Sequence, residues 1–482
     1  MAGSTEIDIL NDKIRELFPG ECVNKGLSKS GILSTRALPS FVSDWLISKY
    51  AEADELDSVS LQRFLSQYLP DKSKADQIKH QLISERKAIK ILAKFSVEPD
   101  IKTGEEWLEI PILDIKGKEG CISPTLASES LELLNGGMWG IGELIWKEGP
   151  KKGNGKIELI SFKPFKPYSA DLGYYREARK HFNDVSEWID FLIKSMEYDP
   201  RSFDSVSQKL KMISRLLPFV EPRINLIELA PKGTGKSYVF GRLSKYGWLI
   251  SGGSVSRAQL FYDIARKRRG IITRFDYIAL DEIQTIKFSN PEEVVGALKG
   301  YLESGEYKIG AYHGEADASF VLLGNISISG KEPRNAIYTK SLPKFMQESA
   351  FLDRFHGFIE GWKLPRIKEG SVVKGYAINS EFFSEILHEL RSDMIPNSIV
   401  SSIIYVPKDS DKRDATAIKR VATGYFKLIF PDIRSVDEVN IELFRTYCLN
   451  PAIEMRRIIR KQLSLIDEEY SDEMPEIRLL IS

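Results

Sequence analysis

The stretch Ile224 to Ser237, INLIELAPKGTGKS, narrows the fold more than any other part of the chain. It reads as a short apolar strand, Ile224 to Leu229, running straight into a glycine-bearing turn that ends in Gly235-Lys236-Ser237. Strand, turn and helix N-terminus in that order make a phosphate-binding loop. The candidate binding set is Pro231, Lys232, Gly233, Thr234, Gly235, Lys236, Ser237 and Tyr238. Backbone N–H groups around Gly233 to Gly235 can wrap a phosphate, because glycine admits close approach of the main chain. Lys236 is expected to reach the β- and γ-phosphate oxygens, and the Ser237 hydroxyl to hold Mg²⁺. The pattern G-x-x-x-x-G-K-[ST] calls for glycine where this chain has Ala230, a departure of one methyl group.

A chain of 482 residues has length for two to four domains and a substantial core. Lys+Arg and Asp+Glu both total 68, so the balanced charge argues against a wholly basic nucleic-acid binder and leaves local patches open. Cys22, Cys121 and Cys448 are too scattered for a disulfide framework or a metal knuckle, which points to a reducing compartment. The N-terminus lacks the basic and apolar regions of a signal peptide, and no run approaches the roughly 18 apolar residues that span a bilayer. A cytoplasmic protein without membrane attachment is the expectation.

Four short helices are expected over Ile7 to Leu17, Pro39 to Ala51, Ser60 to Tyr68 and Lys72 to Glu85. From Ala88 the texture turns to β, with KILAKFSVEP, EEWLEIPILDI, GGMWGIGELIWKE and KIELISFKPFK as strands and one helix near Pro124 to Leu134. This mixture suits an OB-like barrel, with a β-sandwich as the alternative on pattern. Lys147, Lys151, Lys152, Lys156, Lys163 and Lys166, interleaved with Trp146, Phe162 and Phe165, surround its last hairpin. Such a hairpin fits a nucleic-acid backbone with stacking, or is simply solvated. Helices at Glu187 to Met196 and Ser205 to Leu217 then lead to the phosphate-loop strand, placing a boundary near residue 200.

Beyond the loop, Phe275 to Leu280 is an apolar strand finishing in Asp281-Glu282. Carboxylates at the C-terminal end of a central strand face the same crevice as the phosphate loop. Asp281 is expected to order the Mg²⁺ shell and Glu282 to polarise the attacking water. The next apolar strand, Ser319 to Leu323, ends in Gly324-Asn325, where an amide can meet the γ-phosphate or the lytic water, as sensor 1 of AAA+ ATPases does; a plain turn former is the alternative. Arg354 in Phe351-Leu352-Asp353-Arg354-Phe355 resembles the AAA+ arginine finger, which acts on a neighbouring subunit's nucleotide. An ion pair within the chain is its alternative. Arg413 and Arg420 share one face of the helix Asp411 to Phe430, and the pattern R-x-x-x-x-x-x-R resembles the sensor-2 helix of MCM helicases.

Ser256 is placed to cap a helix over Arg257 to Arg269, whose basic end includes Arg266 to Arg269. Tyr307 to Tyr312 reads as a strand, with a turn at His313-Gly314-Glu315-Ala316 and a return strand into Asn325. A hairpin just before sensor 1 points into the pore of an AAA+ ring, which makes Lys308, Tyr312 and His313 candidate DNA contacts beside Lys151 and Lys152.

These pieces, with FPGECVNKG, LISGGSVSRAQLFYD, FLDRFHGFIEGWKLP and RDATAIKRVATGYFKLIFP, resemble the BrxL family, the Lon-related AAA+ proteins of BREX phage-defence systems. The resemblance implies an α/β fold: an AAA+ P-loop core with an N-terminal helical plus OB-like β module and a C-terminal helical lid. The expected domains are a helical region 1–87, an OB-like module with linker helices 88–200, an ATPase core 201–370 and a lid 371–482. It implies ATP and Mg²⁺ as cofactors. The implied partners are double-stranded DNA, other BREX components and further copies of the chain in a hexameric or heptameric ring, with stacked rings an open alternative. Longer family members carry a Lon-protease-like domain after the ATPase; the residues after Phe430 leave no room for a Ser-Lys dyad domain, so ATP hydrolysis without proteolysis is expected.

Overall fold

In the computed structural model, residues 2–29, 31–34, 38–52, 54–100, 105–129, 133, 137–149, 154–164, 170–265, 267–407 and 410–480 are described. The chain divides into two compact units, Leu27–Tyr168 and Met1–Gly26 together with Ser169–Ser482. These divisions differ from the sequence-drawn breaks at 87/88 and 200/201.

The first unit carries helices α1 (Ser40–Tyr50), α2 (Ser58–Tyr68) and α3 (Ala75–Ile83) beside five strands, β1 (Ile89–Asp100), β2 (Glu105–Glu109), β3 (Gly120–Ile122), β4 (Met138–Glu148) and β5 (Gly155–Pro164). The strands close into a barrel in the order β1-β2-β3-β5-β4. Four were legible as β-branched, aromatic runs. The short β3 was not, yet its parallel pairing with β5 is what shuts the barrel and rules out two open layers. Ile91, Phe95, Leu108, Leu144 and Leu159 fill the interior, and Trp146 and Phe162 pack against it. The helix at Pro124 is observed over Pro124–Glu129.

The second unit is built on helix α4 (Val206–Ile213), strand β6 (Leu226–Ala230), helix α5 (Lys236–Arg242), and strands β7 (Gly247–Ser251) and β8 (Tyr277–Asp281). Helix α6 (Pro291–Ser304), strands β9 (Glu306–Ile309), β10 (Tyr312–Glu315), β11 (Ser319–Asn325) and β12 (Gly357–Glu360) follow, and then helices α7 (Ser380–Ser392), α8 (Lys412–Ile429) and α9 (Asn450–Ser464). Five strands form one parallel sheet in the order β7-β8-β11-β6-β12. Its central strands β6 and β8 are buried at every position, which is why they read as unbroken apolar runs. Strand β12, inside the FLDRFHGFIEGWKLP segment, was not anticipated. Nor was the antiparallel pairing of Cys22–Asn24 with Tyr376–Ile378, which ties the N-terminus to this unit.

Two expected elements are corrected. Ser256 does cap a helix, its side chain accepting from the Gln259 N–H, but that helix stops at Leu260. Tyr262–Asp263 and Arg268–Arg269 then pair as an antiparallel hairpin where a continuous helix was expected. The turn between β9 and β10 is Gly310-Ala311, not His313 to Ala316, with Gly310 at φ +62°. A two-residue hairpin turn needs positive φ, which glycine supplies without steric cost. Tyr312 and His313 therefore lie on the return arm, and β11 is a separate strand of the main sheet.

Among the described residues no helix is long and apolar enough to cross a membrane.

Candidate nucleotide site

In a parallel sheet all C-terminal strand ends share one edge. Here that edge collects the loop after β6, Asp281 at the end of β8 and Asn325 at the end of β11. Strand β11 lies between the other two, so the amide stands between loop and carboxylates.

Gly233 and Gly235 hold φ of +85° and +79°, the left-handed region that lets successive N–H groups face one side. Lys236 opens helix α5 and is only 7% exposed. Its ammonium donates to the Ala230 carbonyl and to Asn325 Oδ1, both at 3.4 Å, and to the Pro231 carbonyl at 3.5 Å. Burial lowers its pKa; Arg215 adds to that, while Glu228, Asp281 and Glu282 oppose it. Ser237 Oγ donates to Asp281 Oδ2 at 2.5 Å. Glu282 is exposed, sits at φ +49°, and donates its N–H to Asp281 Oδ1 at 2.9 Å. A non-glycine residue held in the left-handed region at a strand end is strain of the kind that concentrates at functional sites. Thr234 Oγ1 donates to the Pro231 carbonyl at 3.4 Å, and Lys232 is exposed. Tyr238 turns its hydroxyl to Glu197.

Several contributors escaped sequence reading. Gln284 brackets Asn325, donating to its carbonyl at 2.8 Å and accepting from its N–H at 3.4 Å. Tyr198 donates to the Gly235 carbonyl at 3.5 Å, and the Ile367 N–H donates to that of Gly233 at 2.8 Å. Arg215 and Glu228 lie beneath the loop as a buried ion pair. The one signal was Glu228 itself, since an acid inside an apolar central strand requires a partner.

Arg354, Arg413 and Arg420 are not brought to this edge. Gly357, the first residue of β12, pairs with Leu226, the first of β6, and the His356 N–H donates to the Asn225 carbonyl. Arg354 therefore sits at the N-terminal edge, about 13 Å of strand away from the loop. Its Nε donates to the Lys299 carbonyl at 2.9 Å and pairs with Glu303 at 3.1 Å. Arg413 binds the same Glu303 at 2.9 Å and Asp353 at 2.7 Å. Burial works against its charge, but those two carboxylates outweigh it and raise its pKa. Behind it, Arg456 joins Asp353 to Asp414 at 2.5 and 2.6 Å. Arg354, Arg413 and Arg456 thus line one open cavity of about 690 Å³. Arg420, on the same helix, donates to the Pro222 carbonyl, and burial lowers its pKa.

Of the candidate DNA contacts, Lys308 and His313 are exposed and directly paired across the hairpin. Tyr312 is half-buried and stacks on Tyr262 of the neighbouring hairpin, ring centroids 3.8 Å apart. Lys147 and Lys156 are engaged with Glu158 and Glu105 at 2.6 and 3.0 Å. Lys151, Lys152, Phe165, Lys166 and Arg266 lie outside the described residues.

Residues 157–476 match the family described as Lon-like protease BrxL-like, ATPase domain, and residues 16–146 match that described as BREX system Lon protease-like protein BrxL N-terminal. The chain is similar to the Lon-like protease BrxL of Escherichia coli O9:H4 (strain HS), 30% identical over 463 residues, 94% of this chain and 64% of that protein. It is similar also to the Lon-like protease BrxL of Bacillus cereus (strain H3081.97), 28% identical over 465 residues, 95% of this chain and 67% of that one. It spans about two thirds of the length of these relatives. With its ATPase-domain match covering the whole parallel sheet, this chain belongs to the BrxL family of BREX Lon-like proteins.

Proposed function

We propose that the chain is one subunit of a ring-forming AAA+ ATPase that binds duplex DNA and couples ATP hydrolysis to encircling DNA or moving along it in BREX antiphage defence. The separation of the charged groups onto two edges of one sheet carries this reading. Lys236, Ser237, Asp281, Glu282 and Asn325 gather at the C-terminal edge, whereas Arg354 and Arg413 converge on Glu303 at the N-terminal edge. Phosphoryl transfer needs positive charge on the γ-phosphate in the transition state, and the chain's own finger cannot reach its own loop. A head-to-tail neighbour supplies it, and head-to-tail contacts that close make rings.

Within that reading, Lys236 and the loop N–H groups bind the phosphates, Glu282 orients the attacking water, and Asn325 holds the γ-phosphate or that water. The Ser237 hydroxyl and Asp281 carboxylate are adjacent hard oxygen donors, the kind Mg²⁺ takes in ones and twos while keeping waters and phosphate oxygens. Bound there, Mg²⁺ supplies neutralisation of the phosphate charge. The barrel serves as an OB-like DNA-facing collar, the helices from α7 onward as a lid, and Lys308, Tyr312, His313, Lys151 and Lys152 contact DNA.

Subunit mixing tests the ring. Lys236→Ala and Arg354→Ala should each abolish hydrolysis alone, and an equal mixture should recover activity, because about a quarter of head-to-tail interfaces regain both groups. Arg354→Ala hydrolysing ATP normally would sink the trans arrangement. The relatives' name, Lon-like protease, favours a second reading as a protein unfoldase. Stimulation of the ATPase by unfolded polypeptide rather than duplex DNA would select it.

A further inference from the structure

The buried pair Arg215–Glu228 has no task in the reaction just described. Both side chains are 0% exposed. Arg215 Nε and Nη2 donate to the two carboxylate oxygens at 3.0 and 2.6 Å, a full fork. Gly361 packs so closely here that a Cβ on it would lie 2.8 Å from Glu228 Oε1. Desolvating two charges this deeply commonly offsets their attraction, and apolar residues of similar volume often serve stability as well. Stability is therefore a poor reason for the pair.

The third nitrogen, which also lies 3.2 Å from Met212 Sδ, supplies a better one. Arg215 Nη1 donates at 2.8 Å to the Thr234 carbonyl, between Gly233 and Gly235. In a trans peptide plane the carbonyl and the following N–H point to opposite sides. Holding the Thr234 carbonyl inward turns the Gly235 N–H outward, toward the place a β-phosphate occupies in such loops. We infer that Arg215, oriented by Glu228, is a positioning residue that sets the phosphate loop for nucleotide binding without touching the nucleotide. This rests on the nucleotide reading of the loop.

The test is calorimetric titration of the full chain with Mg·ADP, beside thermal melting. Arg215→Met, and the double variant Arg215→Met/Glu228→Met, should weaken ADP binding about tenfold to a hundredfold, the range a lost charge-assisted hydrogen bond covers. The double variant, with no orphaned charge, should melt within about 4 °C of wild type, so lost affinity is not lost folding. Arg215→Lys, which keeps the charge without the fork, should fall between. A double variant that folds and binds ADP as wild type does overturns the inference alone. If it fails to fold, wild-type affinity in Arg215→Lys does so instead. A wild-type chain that binds no ADP removes the nucleotide reading and this inference with it.

Discussion

Lys236 shows what a single side chain is asked to do at this site. It is buried against Ala230, Pro231 and Asn325, so its charge is largely withdrawn from water. Lys236→Ala should leave the fold intact and remove nucleotide binding, read by titration with ADP. Glu282→Gln keeps shape and volume but loses the base, so ATP should stay bound and unhydrolysed, read as retained nucleotide after gel filtration. The two loop glycines separate strain from space. A Cβ on Gly233 meets nothing within 4 Å, whereas on Gly235 it lies 2.3 Å from the Tyr198 hydroxyl. Both hold positive φ, so Gly233→Ala should cost about 1–2 kcal/mol of backbone strain. Gly235→Ala should cost more and weaken ADP binding further, because Tyr198 must also move. Equal losses in the two variants would contradict the steric account.

Among the elements, the sequence marks strands β6, β8 and β11 of the sheet, misses β12, and misjudges what lies between the strands. The run after Ser256 has helical spacing and a correct cap, but Tyr262–Asp263 and Arg268–Arg269 find each other as antiparallel partners, and tertiary pairing overrides propensity. The Tyr262–Tyr312 stack then joins two hairpins that are separate in sequence. Helix α7 is tied to the start of β8 through His388, whose Nδ1 lies 2.7 Å from Asp276 Oδ2 and whose ring stacks on Tyr246. Burial disfavours the His388 charge, but Asp276, helped by Glu385 and Glu389, outweighs it and raises the pKa. A raised folded-state pKa contributes stability that is complete below the ordinary histidine value and is lost as pH climbs through the folded one. The part of the melting temperature that Asp276 supplies, read as wild type minus Asp276→Asn, should therefore shrink as pH rises from roughly 6 to 8, while buried His356, whose pKa burial lowers, pulls the other way in both proteins. A slope unchanged in Asp276→Asn would assign the pH dependence elsewhere.

For the whole molecule, the governing fact is that one parallel sheet presents the Gly233–Ser237 loop at one edge and an arginine-lined cavity at the other. If duplex DNA lies against the hairpins, the logarithm of the binding constant should fall linearly with that of salt concentration, and Lys308→Ala should reduce the slope by about one. Binding indifferent to salt would remove DNA backbone contact from the account. GKS, the Asp-Glu pair and the strand ending in Asn325 were legible by themselves, because each is a run of adjacent residues whose backbone geometry is local. The barrel's closure by Gly120–Ile122, strand β12 and the return of Cys22–Asn24 to Tyr376–Ile378 were not, since short strands carry little periodicity and gain meaning only from distant partners. Nor did sequence place Arg354 and Arg413 on one carboxylate, or Arg215 under the loop. Read alone, the residues mark candidate phosphate-handling groups, since strand, turn and helix N-terminus follow one another in a local run. The fold put Arg354 and Arg413 on the edge opposite Lys236, Asp281 and Asn325, because parallel strand order and register, not spacing along the chain, set which end of a strand a side chain meets.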